Sequence, residues 1–197
     1  MDWIYIDIPR AYTAVAEWCA CLIFIFLLPK RRKGWQIGVI AATALSVQMA
    51  FLTITSNAPL VLWTPIMGTA FALMFLFLSV CCAGDWKKKL YYTGCAVILS
   101  EAAAALEWLI YYFMAYINGY HSLLLRYGML AGVYAFIFIL AFFLEKRVSE
   151  PGAVAAISGK ELLTVMIVVV TTFLFSNLSY VFPNTPFPAI FFMRVLN

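Results

Sequence analysis

The stretch Ala11-Tyr-Thr-Ala-Val-Ala-Glu-Trp-Cys-Ala-Cys-Leu-Ile-Phe-Ile-Phe-Leu-Leu-Pro29, followed at once by Lys30-Arg-Arg-Lys-Gly34, decides the fold. A hydrocarbon core about 30 Å thick takes about 20 apolar residues of helix, and an apolar run of this length closed by a basic knot matches it. Pro9 stands just before the run, where proline suits a helix start. The N-terminus offers Asp2 and Asp7 in place of a basic n-region, and no small-residue cleavage site follows. The run is therefore read as a retained span and not as a signal peptide.

Outward from that knot the pattern repeats. Residues 35–56 form a second apolar run, ended by Asn57-Ala58-Pro59, and Pro65 reopens a helix over 65–83. Gly84-Asp85-Trp86-Lys87-Lys88-Lys89 is the next polar break. A long fourth run covers 90–117, Asn118–Ser122 is a short turn, and a fifth run covers 123–144. Glu145-Lys146-Arg147 ends it. The loop 148–159 is the longest and contains Pro151-Gly152, and a sixth run spans 160–182. After Pro183-Asn184-Thr185-Pro186-Phe187-Pro188, residues 189–197 begin another apolar stretch.

Composition agrees with this map. The 197 residues are 65% hydrophobic and 11% charged, with a mean hydropathy of +0.96. Soluble domains carry about 45–50% apolar and about 25% charged residues. A globule of this length cannot bury so much apolar side chain, which excludes a soluble enzyme and a disordered chain. The expected fold is an all-α polytopic transmembrane helix bundle, a single domain over 1–197, with six full spans plus the start of a seventh. The net charge of +4 is too small and too scattered for a nucleic-acid partner. The lipid bilayer is the partner that this composition requires.

The basic residues orient the bundle. Lys30, Arg31, Arg32, Lys33, Lys87, Lys88, Lys89, Lys146, Arg147 and Lys160 all lie in the loops after spans one, three and five; Arg10, Arg126 and Arg194 do not. The positive-inside rule makes those loops cytoplasmic and the N-terminus extracellular, in a multi-pass protein of the cell membrane. Trp35, Trp86, Tyr91 and Tyr92 then fall at the inner interface, and Trp63, Tyr112, Tyr116, Tyr120 and Tyr180 at the outer one. The outer connections are short, so an external signal must be small or must enter the bundle.

Ionisable residues within spans are expensive, about 2.5–3.5 kcal/mol at the helix centre on insertion scales, and mark functional candidates. Here they are Glu17, Glu101 and Glu107. Glu17 lies about 9 Å below the outer start of span one, and Glu107 about 9 Å further out than a mid-membrane Glu101. Glu17 and Glu107 are therefore expected at one depth, with Arg126 at the outer end of span five within reach. Two readings follow: an outward-open polar pocket, or an interhelical ion pair that holds the bundle together. Gln48, Thr53 and Ser100 can supply hydrogen bonds in either case. Gly128-Met-Leu-Ala-Gly132 is a G-x-x-x-G that lets two backbones approach, either within the chain or in a dimer, and Ala102–Ala105 gives span four a similar small face.

Other chemistry is missing from the sequence. Five Cys, at 19, 21, 81, 82 and 95, include no C-x-x-C pair, and His121 stands alone, so neither a metal nor a cofactor is expected. No metalloprotease, P-loop or Ser/His/Asp motif occurs. His121 is placed outside and Cys81, Cys82 and Cys95 near the inner face, which argues against a membrane Cys/His peptidase.

Two end stretches carry a resemblance: Asp7-Ile-Pro-Arg-Ala-Tyr-Thr-Ala-Val-Ala-Glu-Trp18, and Ser176-Asn-Leu-Ser-Tyr-Val-Phe-Pro-Asn-Thr-Pro-Phe187 with Ile190-Phe-Phe-Met-Arg-Val-Leu196. They resemble the membrane input region of AgrC-like bacterial sensor histidine kinases with a GHKL-type ATPase domain. The resemblance covers the whole chain in layout and the two ends in motif. It implies a sensor of about seven spans in a two-component, quorum-sensing system, detecting an extracellular peptide or small hydrophobic signal. It also implies a homodimer, and a following cytoplasmic domain with a phospho-accepting His and an ATP site. The chain itself holds no catalytic domain; its full-length parent would be an ATP-dependent histidine kinase.

Parity leads the same way. With the N-terminus outside, a cytoplasmic domain after the last span requires an odd number of spans. Residues 189–197 are therefore expected to be the outer third of a seventh span, with Arg194 near the outer interface. The alternative function is a small secondary transporter or permease subunit that uses Glu101 and Glu107 in a proton or cation path. A membrane scaffold is the third.

Overall fold

The computed structural model describes residues 9–56, 58, 60–114, 122–148 and 157–181. These form six helices: α1 (Arg10–Leu27), α2 (Gly34–Ile54), α3 (Leu60–Cys81), α4 (Trp86–Tyr112), α5 (Leu123–Val148) and α6 (Gly159–Val181). The expected turns at 118–121 and 183–188 and the seventh-span segment at 189–197 lie outside the described residues.

Local chemistry sets the helix ends. The Pro9 carbonyl accepts the Tyr12 N–H at 2.8 Å and opens α1. At the other end Leu28 is extended, as the ring of Pro29 demands of the residue before it. The third helix differs from expectation: it begins at Leu60, and Pro65 lies inside it instead of opening it. Pro65 is the sixth residue of α3, past the four N–H groups that have no intrahelical partner, so it forfeits one early bond and leaves the rest of the helix to run on. The fourth also starts early, at Trp86. Gly84 takes φ 119, which other residues rarely adopt, and turns the chain so that Lys87, Lys88 and Lys89 enter the first turn. Lysine is a good helix former whose stem can lie on apolar surface while the ammonium reaches water. The fifth helix continues through Glu145, Lys146 and Arg147, whose cations suit the carbonyl end.

At α6 a reciprocal cap sets the start. The Glu161 N–H donates to Ser158 Oγ at 3.2 Å, and the Ser158 N–H donates to Glu161 Oε2 at 2.8 Å. This capping box satisfies two otherwise orphaned donors. Ser158→Ala is expected to destabilise α6 by about 1 kcal/mol, seen as faster hydrogen exchange at the first-turn amides. Unchanged exchange there would mean that the cap does not hold the helix end.

The two middle helices are α1 and α4. The first also packs on α2, α3 and α5, and the second on α3, α5 and α6. The Phe24 and Tyr92 rings lie 5.2 Å apart, while Tyr12 and Tyr111 both face Arg126, so the two run antiparallel and nearly level. Ala16, Ala20, Cys21, Ala96, Ala103 and Ala104 belong to the same buried cluster. Small side chains let helix backbones approach, which replaces the missing hydrophobic drive between helices in lipid.

The closest approach is elsewhere than expected. A Cβ at Gly128 or at Gly132 would meet nothing within 4 Å, so the G-x-x-x-G does not serve a crossing among the described residues. A Cβ at Gly94 would fall 2.5 Å from Val165 Cγ1, where α4 meets α6. The G-x-x-x-G face of α5 points outward because Tyr134 and Phe138, on its other face, are the residues that enter the core.

Two connections are stitched together. Arg31 N–H donates to the Cys81 carbonyl and Ala83 N–H to the Pro29 carbonyl, each at 2.8 Å. The basic knot after α1 and the turn after α3 therefore share one end of the bundle. Large apolar residues such as Phe26, Val39, Leu124, Phe136 and Leu163 are exposed around the outside, as hydrocarbon and not water would require. Among the described residues, five helices, α1 to α5, are long and apolar enough to cross a membrane. The all-helical class and a multi-pass membrane character follow.

Candidate functional site

The candidate residues occupy two neighbourhoods along the central pair. Glu17, on α1, is 4% exposed. Its Oε2 accepts a short hydrogen bond from Gln48 Nε2 of α2. Glu101, on α4, and Arg10 lie within electrostatic reach of it. A second link, Trp18 Nε1 donating to the Ala41 carbonyl at 2.8 Å, ties the same two helices. Gln48 is thus the partner of Glu17, while Ser100 donates to the Val97 carbonyl of its own helix and Thr53 is exposed.

Glu107 and Arg126 lie nearer the Tyr12 end. Arg126 Nε donates to Tyr12 Oη at 2.7 Å, and its guanidinium stands over the Tyr12 and Tyr111 rings at 5.4 and 5.9 Å. Tyr134 Oη donates to the Tyr12 carbonyl at 3.0 Å. Glu107 is 0% exposed and in the field of Arg126, yet neither of its oxygens has a hydrogen-bond partner among the described residues. An orphaned carboxyl in a helix core is a costly arrangement and usually carries a purpose.

On α4 the residue within reach of Glu17 is Glu101, while Glu107 is about 9 Å further along the helix. Arg126 is spent on Tyr12, which the sequence reading passed over. The signal that could have found it is level: Arg126 opens α5, so its partner had to come from the start of α1. Tyr12→Phe is expected to release Arg126 and loosen α5 from α1 by about 1.5–3 kcal/mol, the worth of a hydrogen bond to a charged group. Thermal unfolding in a fixed detergent reads this loss.

Glu17 and Gln48 also line a cavity of about 270 Å³ between α1, α2 and α3, whose walls include Cys21, Ile40, Met74 and Phe77. No linear motif announced it, because its lining comes from three helices. Among the described residues no group of three or more His, Cys, Asp or Glu side chains could hold a metal ion, and the five cysteines are unpaired. No family model, no curated protein and no solved structure matches this chain.

Proposed function

We propose that the chain is the membrane-embedded input module of a two-component sensor histidine kinase, detecting an extracellular peptide or small hydrophobic signal. The observation that carries this reading is the apolar cavity floored by the Glu17–Gln48 pair. Such a site has the expected makeup of a small-molecule pocket: mostly apolar walls and a few placed polar groups. The end-stretch resemblance and the need for an odd number of spans supply the kinase part. In this proposal α6 is the sixth span, residues 189–197 start the seventh, and the N-terminus is extracellular. The parent acts as a homodimer, for which the outward G-x-x-x-G face of α5 offers close backbone contact.

The coding sequence beyond Asn197 tests the reading. An in-frame helix with a phospho-accepting His and an ATP-binding domain is the expected result; a stop codon among transporter genes would end the kinase proposal. Sidedness is tested by single cysteines in a Cys-free background. Ser122→Cys should react with an impermeant maleimide in intact cells, and Gly34→Cys only after lysis. Reaction of Gly34→Cys from outside inverts the topology.

A second reading, a small secondary transporter or permease subunit, is favoured by one observation: Glu107 is buried with no hydrogen-bond partner among the described residues. Glu101 and Glu107 lie about 9 Å and 240° of rotation apart on α4, so a proton or cation path through both would need further polar groups or water between them. Proton flux into vesicles that carry the chain, lost in Glu107→Gln, would support it.

A further inference from the structure

The cavity between α1, α2 and α3 has a mouth and a floor of opposite character. Val39, Val47 and Leu76 line it and are exposed. They lie on helices long and apolar enough to cross a membrane, so the mouth faces hydrocarbon. The floor is Glu17 with Gln48, both buried. We propose that this crevice binds a single-chain amphiphile with an uncharged, hydrogen-bond-donating head, such as a primary amide or an alcohol, which enters sideways from the bilayer.

Each part of that description has a cause. The apolar walls accept a hydrocarbon tail, and the open side lets it pass from lipid without crossing water. Gln48 holds Glu17 Oε2, and the other carboxyl oxygen offers an acceptor to a donating head. A phosphate or carboxylate head would bring a full negative charge beside a carboxyl in hydrocarbon, where charge is costly. An ammonium would have to enter mid-membrane at a cost of about 2.5–3.5 kcal/mol on insertion scales. A cavity of about 270 Å³ falls just below the usual size of ligand sites, about 300 to 1,000 Å³; it suits one chain and not a two-chain lipid. Glu17 is also about 10 Å along α1 from Arg10, deeper than a phospholipid head held at the interface descends. The assignment deepens the sensor reading by naming its signal class, and it rests on that reading only for the consequence of binding.

The test uses the 197-residue chain in phosphatidylcholine nanodiscs with a dodecanamide that carries a diazirine in mid-chain. Irradiation should label peptides of α2 and α3 around Val47 and Leu76. Unlabelled dodecanamide should compete about tenfold better than methyl dodecanoate, which accepts but cannot donate; tenfold corresponds to roughly one hydrogen bond. Val47→Trp fills the mouth from an exposed position and should abolish the label there. The double variant Glu17→Leu with Gln48→Leu should erase the amide preference. Equal competition by the ester, undiminished label in Val47→Trp, or label spread evenly over α5 and α6 would each overturn the proposal.

A chimera with a histidine-kinase catalytic region separates this result from the sensor reading. Crevice labelling with no change in autophosphorylation would end the sensor reading and leave the site. A change in autophosphorylation on adding dodecanamide that persists in Val47→Trp would overturn the site and leave the sensor reading.

Discussion

Gly94→Leu is expected to strip α6 from the bundle. A Cβ at Gly94 would stand 2.5 Å from Val165 Cγ1 and 3.4 Å from Val169 Cγ2. Valine is β-branched and stiff at χ1, so the neighbour can yield only by moving its helix. Even Gly94→Ala sets two effects against each other. Helix propensity favours alanine by about 1 kcal/mol, whereas overpacking costs about 1–3 kcal/mol; overlap at this distance decides for destabilisation. The α4 contact is the main one that α6 makes, so the larger leucine should leave α6 accessible to protease while α1 to α5 remain packed. Gly132→Ala supplies the opposite sign: with nothing within 4 Å, only propensity acts and stability should hold or rise. Val165→Ala should rescue Gly94→Ala, with a coupling of about 1 kcal/mol or more. Unfolding in mixed micelles reads all four, and a stabilised Gly94→Ala would mean that the helices part freely at this point.

Gln48→Leu should cost about 1–3 kcal/mol, because it leaves Glu17 buried without its donor. Removing both partners is a different experiment. The variant with both Glu17→Leu and Gln48→Leu leaves no unpaired group and is expected to approach the stability of the original chain. The coupling between the two positions should then be at least as large as the Gln48→Leu loss itself, about 1–3 kcal/mol. Additive single and double effects would show that the pair does not hold α2 on α1. The same cycle bears on function, since Glu17 is the acidic group in the cavity wall among the described residues.

Much of the architecture was legible along the chain because a bilayer reduces the problem to one dimension. Every spanning backbone must satisfy its own hydrogen bonds, so an apolar run of the right length can only be a helix. That condition placed α1 and α2 within a residue or two at either end and found the break at 30–34, whereas of the expected break at 84–89 only Gly84 and Asp85 stay outside a helix. Glu17 and Glu107 were recognisable from sequence for the same reason: hydrocarbon makes a carboxyl conspicuous wherever it stands.

Neighbourhood is another matter, for it depends on rotation and on the level at which helices meet, and neither is written in a run of hydrophobic residues. Gly94 and the Gly128–Gly132 pair are equivalent as letters, yet only Gly94 faces another helix. The pairing of Glu17 with Gln48, of Arg126 with Tyr12, and the absence of a partner for Glu107 among the described residues all follow from how α1 and α4 slide past each other. The sequence by itself determined a helical membrane bundle, its breaks and its costly carboxylates, since those are properties of single segments in hydrocarbon. Only the tertiary structure decided which carboxylate borders a cavity, which one lacks a partner and which glycine is indispensable, because each of these is a relation between side chains of different helices.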